Sequence, residues 1–158
     1  MARMNEWYRR ITEKTDDYLP LVDAIAFFED EIQEAKEEIR LKGNIETANK
    51  LLPGVVEHRF CQLQEVEAIL EYMNIRFSKT KGEKFRKFLE HYNRELSSRD
   101  AEKFAEADDD VIKVALLRNE IALIRNQYLG LMKGLEQKSF SITNIVKLRV
   151  SGLEDATL

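Results

Sequence analysis

Apolar side chains recur in the C-terminal part of the chain at Val114, Leu117, Ile121, Ile124, Tyr128, Leu131 and Leu135, alternately three and four residues apart. That spacing is the period of a seam between packed helices, as in a coiled coil, and it predicts one long helix. Asp108, Asp109 and Asp110 stand at its start. Their carboxylates can accept from the unpaired N–H groups of a first turn and oppose the positive end of the helix dipole. A second stripe, Ile112, Leu116 and Leu123, flanks the seam, and one neighbouring helix would not cover both. The pattern fits the central helix of a monomeric bundle, or a helix that also packs against copies of itself. From Ser139 to Val150 the residues Phe140, Ile142, Ile145, Val146 and Leu148 form an apolar ending that nothing further along the sequence can cover, and it is expected to pack on a neighbouring protomer.

Upstream, Met4 to Tyr18 is weakly amphipathic and predicts a short helix or arm carrying Trp7 and Tyr8. Pro20 suits a first helical turn, where its missing N–H costs nothing, and Asp16 and Asp17 precede it. Leu21, Ile25, Phe28, Ile32, Ala35 and Ile39 then mark one helix face, with Glu29, Asp30, Glu34, Glu37, Glu38 and Arg40 on the other and Gly43 as the stop. After a polar link from Gly43 to Lys50, the run Leu51, Leu52, Pro53 and Gly54 predicts a break. A new helix is expected from Val56, antiparallel to its predecessor, with Phe60, Leu63, Val66, Leu70, Met73 and Phe77 facing a core. Gly82, with Ser78 and Thr80, should break or bend it. Ser97, Ser98 and Asp100 read as the cap of a short helix through Phe104.

Composition supports this helical reading. Charged residues make up 34% of the 158 and hydrophobic ones 44%, while Gly (6) and Pro (2) are scarce, which suits long solvent-facing helices and an all-α fold. The expected organisation is an N-terminal helical region, 1–107, a C-terminal oligomerisation helix with apolar tail, 108–150, and a frayed end, 151–158. Cys61 cannot form an internal disulfide, and no run of about 18 apolar residues offers a membrane span, so a cytoplasmic protein is expected.

The net charge of −4 conceals an uneven distribution. Residues 1–75 carry 9 basic and 16 acidic side chains, residues 76–94 carry 7 and 2, and residues 95–158 carry 9 and 11. In the basic segment Arg76, Lys79, Lys81, Lys84, Arg86, Lys87 and Arg94 are interleaved with Phe77, Phe85, Phe88 and Tyr92. Cations for phosphates and aromatic faces for bases are the usual means of holding a single strand. The alternative is a core stripe of Phe85, Leu89, Tyr92 and Leu96 with lysines that solvate the back of an ordinary helix. His58 and Cys61 lack partners at metal-ligand spacing, and the three aspartates suit capping better than Mg²⁺. No phosphate-binding glycine loop and no catalytic constellation is present, so neither a cofactor nor an enzyme activity is expected.

Two motifs carry a resemblance. Asp108, Asp110, Val111, Ile112, Lys113 and Val114 resemble the D-x-D-[VL]-[LI]-K-V opening of the C-terminal part of the phage recombination mediator family (UvsY-like). Lys138, Phe140, Ile142, Ile145 and Arg149 resemble the ending of that family's long helix, a basic residue, a one-residue spacer, then F-x-I-x-x-I-x-x-x-R. The resemblance covers the C-terminal block and implies a homo-oligomeric ring of about six to eight protomers in the cytoplasm of a phage-infected host. It further implies a non-catalytic mediator that binds single-stranded DNA and helps a RecA-like recombinase load onto strands coated with a single-strand DNA-binding protein. The family's basic DNA-contact segment falls in the part corresponding to Arg76–Arg94. Val114 to Leu135 in the seam, with Phe140, Ile142 and Ile145, are then the expected contacts between copies. The alternative is a non-catalytic helical assembly or adaptor protein that touches no nucleic acid.

Overall fold

Local polar side chains decide where the helices begin. The computed structural model describes residues 3–91 and 95–152, and among them the chain forms five helices. Helix α1 spans Glu6–Glu13. Asp17 Oδ1 accepts from the Leu19 N–H at 3.0 Å and opens α2 (Leu19–Ile39), with Pro20 in its first turn as expected. Gly43, at φ 67°, lies in the link that follows. Asn44 Oδ1 takes the Glu46 N–H at 2.8 Å and opens α3 (Ile45–His91). Ser97 Oγ takes the Asp100 N–H at 3.2 Å ahead of α4 (Ser98–Glu106). Asp108 Oδ1 takes the Asp110 N–H at 2.9 Å ahead of α5 (Asp109–Val150), so the three aspartates do serve a helix start.

Helix α3 corrects the expected polar link, the expected break at Pro53 and Gly54, and an expected break at Gly82. It begins within the supposed polar link and runs through Pro53, Gly54 and Gly82 without interruption. Pro53 removes the N–H that would bond the Asn49 carbonyl, yet both residues are exposed, so water can reach that carbonyl. Gly82 costs only about 1 kcal/mol relative to Ala, too little to break a helix packed on both sides of it. Residues 151 and 152 form a turn after α5. The rest of the end expected to fray lies outside the described residues.

The helices contribute to two compact units, Met1–Ile25 with Glu65–Arg125, and Ala26–Gln64 with Asn126–Leu158. In the first unit the buried apolar residues include Ile11, Leu21, Ile25, Val66, Ile69, Met73, Ala101, Ala105, Val111, Val114 and Ile121. The Tyr8 N–H donates to Glu65 at 3.1 Å, which ties α1 to α3. In the second unit Phe28, Ile32, Leu63, Tyr128, Leu131 and Leu135 are buried, and Phe28 meets Tyr128 edge-on at 6.1 Å. Gly134 admits α2 closely, for a Cβ there would stand 2.8 Å from Ile39 Cδ1. The same need does not arise at Gly130, where a Cβ would meet nothing within 4 Å.

Burial relocates the apolar residues of α5. Val114, Ile121, Ile124, Tyr128, Leu131, Leu135 and Ile142 are buried within their own chain, and Leu117 and Ile145 are half-buried. A side chain already covered in the protomer has no surface to offer another copy, so the buried members are corrected from interface to core. Ile142 joins Leu52 and Leu135 in one apolar cluster, while Phe140 stays 55% exposed. The side chains left open on α5 are the flanking ones, including Ile112, Leu116, Leu123, Phe140, Val146 and Leu148.

Candidate nucleic-acid interface

The basic segment lies on the second half of α3, in the first unit, and its cations fall into two classes. Lys81 Nζ stands 3.0 Å from Glu106 and 3.8 Å from Glu102, and Lys84 Nζ stands 2.9 Å from Asp110 and 3.6 Å from Asp108. These carboxylates come from α4 and the start of α5. The hydrogen bond to Glu106 raises the Lys81 ammonium above its ordinary value, and that to Asp110 does the same for Lys84. Lys84 in turn lowers the Asp110 carboxyl. Arg76 is only 11% exposed and lies 3.5 Å from Asp16. Arg76, Lys81 and Lys84 are therefore not free surface cations.

Lys79, Arg86 and Lys87 are exposed, with no ion-pair partner among the described residues. Their spacing of seven and eight puts them on one helix face, which Glu83 and Glu90 share, so its net charge per protomer is small. Arg94 and Tyr92 lie outside the described residues.

The interleaved aromatics separate as well. Arg118 lies over the Phe77 ring at 4.0 Å, and Phe88 packs on Phe104 of α4 at 5.5 Å. Phe85 is half-buried, Leu96 half-buried and Leu89 40% exposed, so they do not form the continuous core stripe that was the alternative. Phe77, Ser78, Lys81, Gly82 and Phe85 of α3 face Ser98, Arg99 and Glu102 of α4 across a cleft of about 660 Å³. Arg99, a cation outside the basic segment, escaped the sequence reading because only the fold carries α4 back onto α3.

Comparison with protein-family models, with characterised proteins and with solved structures returns no match. Among the described residues no group of three or more His, Cys, Asp or Glu side chains could hold a metal ion, and no helix is long and apolar enough to cross a membrane.

The second unit holds a charge cluster that apolar counting along the sequence passes over. Arg59, 1% exposed, forks onto both carboxylate oxygens of Glu38 and donates to Glu31 at 2.6 Å and to Gln62 at 2.9 Å. Gln62 donates to Glu31 at 2.7 Å and accepts from the Tyr128 hydroxyl at 3.0 Å. Burial works against the Arg59 charge, but hydrogen bonds to Glu38 and Glu31 outweigh it and hold the guanidinium protonated. Burial likewise pushes Glu31 up, and hydrogen bonds from Gln62 and Arg59 outweigh it, leaving that carboxyl below its ordinary value. The buried face of α3 runs Leu52, Arg59, Gln62, Leu63, Val66, Ile69 and Met73. Of the six apolar residues expected on that face, Leu63, Val66 and Met73 are buried, Leu70 and Phe77 half-buried, and Phe60 49% exposed. The signal for the true face was the spacing of seven from Leu52 through Arg59 and Val66 to Met73.

Proposed function

We propose that the chain is a non-catalytic recombination mediator that binds single-stranded DNA as a homo-oligomer. It promotes loading of a RecA-like recombinase onto strands coated with a single-strand DNA-binding protein, in the cytoplasm of a phage-infected bacterium. The observation that carries the reading is the set of exposed cations, Lys79, Arg86 and Lys87, on one face of α3, without an ion-pair partner among the described residues. The likeness of the opening and closing motifs of α5 to the phage mediator family supports it. One such face is a weak ligand for phosphates, and an oligomer that repeats it multiplies the contacts. With three phosphates neutralised per protomer, log affinity falls with log salt by about 2 for each engaged protomer.

The test is a salt titration of a labelled oligonucleotide with the full chain and two variants. Replacing Lys79, Arg86 and Lys87 with Ala should weaken binding at least about tenfold and flatten the salt slope. Replacing Lys81 and Lys84 should change it less. Undiminished binding by the first variant would remove the proposed face. A second reading, a helical assembly or adaptor protein without a nucleic-acid ligand, is favoured by the carboxylates that already occupy Lys81 and Lys84. It predicts no binding by the unaltered protein even at low salt.

A further inference from the structure

Helix α4 covers part of the basic segment, and little apolar surface holds it there. A helix of nine residues is too short to persist on its own in water, where about 12–15 are needed, so α4 depends on what it packs against. Its buried side chains are Ala101 and Ala105, two methyl groups. Phe104 stays 44% exposed, with its ring 5.5 Å from that of the half-buried Phe88. The rest of the fastening is ionic. Glu102 and Glu106, one turn apart on α4, both reach the Lys81 ammonium. Two carboxylates on one lysine leave a net negative charge where the sequence alone shows a cation.

The groups so engaged are of the two kinds that hold a single strand. Carboxylates stand on Lys81 where phosphates would, and a phenylalanine ring lies against Phe88 where a base would stack. We propose that α4 is an autoinhibitory strap that withholds Lys81 and Phe88 from single-stranded DNA until it lifts; the assignment rests on the single-strand reading above. Glu102 and Glu106 belong to the same chain, so they compete for Lys81 at a high effective concentration, and a strand reaches that lysine only by displacing them. Lys84 is outside the device. Its partners Asp108 and Asp110 belong to the start of α5, which Val111 and Val114 anchor in the core.

The test titrates a labelled oligothymidylate with the full-length protein and its variants over a range of salt. Ala105→Gln puts a bulkier neutral side chain into a fully buried site and unseats α4 without changing the net charge. Glu102→Gln with Glu106→Gln unfastens it at two exposed positions. Glu29→Gln with Asp30→Asn, at exposed positions of the second unit, removes the same charge elsewhere and serves as the control. A thermal melt of each variant checks that the fold persists. Both strap variants should bind about tenfold tighter than the unaltered protein, within what one phosphate contact and one stacked base contribute. Their log–log salt slope should steepen by about 0.7 per engaged protomer, and adding Lys81→Ala should return it to the unaltered value. The control should bind as the unaltered protein does. Unchanged affinity in both strap variants, a gain undiminished by adding Lys81→Ala, or an equal gain in the control would overturn the strap and leave the cationic face standing. Absence of binding by the unaltered protein and by both strap variants would sink the single-strand reading, and the strap with it.

Discussion

Arg59 shows how much one side chain can decide. Its charge is buried, but Glu31 and Glu38 retain 21% and 25% exposure, so the cluster is solvated at one edge rather than sealed. Replacing Arg59 with Met keeps the bulk but takes the guanidinium from Glu38 and leaves Glu31 with the Gln62 amide as donor. The expected loss is about 2–4 kcal/mol, shifted toward the lower end of what a fully buried pair costs because water can reach the carboxylates, and urea unfolding would measure it. Acid should act on the same group. Glu31 holds its proton less readily in the folded chain than at its ordinary value of 4.5, so the stability it contributes is complete above that pH. It is lost as pH falls through the lower folded value. Melting temperature should therefore fall below about pH 4.5, and fall less steeply in Glu31→Gln, as calorimetry across that range would show.

At the scale of helices, α3 is where sequence and structure part. Removing the proline should strengthen the helix it failed to stop. Pro53→Ala restores an N–H for the Asn49 carbonyl at an exposed position and is expected to stabilise the protein by about 1–3 kcal/mol, read from a denaturant midpoint. The starts of α2, α4 and α5 were legible because Asp17, Ser97 and Asp108 cap locally, within two or three residues of the N–H they satisfy. The course of α3 was not legible, because packing of Leu52, Val66 and Met73 outweighs a proline and two glycines whose costs are local. The long period of α5 was legible too, but not which stripe would stay open, since that depends on how many helices surround it. The candidate site was half legible. Seven cations in one segment were visible, whereas the carboxylates of α4 and α5 that neutralise two of them are distant in sequence.

For the molecule as a whole, the balance of surface matters more than any one contact. The exposed apolar side chains of α5 lie on the flank of its buried seam, and Leu116 and Leu123 are 59% and 61% exposed. Open apolar surface of that kind favours association. Light scattering should give a mass above the 18.5 kDa of one chain, and Leu116→Glu with Leu123→Glu should lower it without unfolding the protein. A persistent monomer would place the DNA reading on a single weak cationic face. The guanidinium of Arg59 also has a bearing on how the chain finds its fold. Apolar stripes tolerate sliding by a turn, because one leucine fits against another almost as well as its neighbour does. A planar fork matched to the carboxylate of Glu38, with Glu31 and Gln62 beside it, does not, so misaligned pairings of α2 with α3 are penalised and a single alignment is selected.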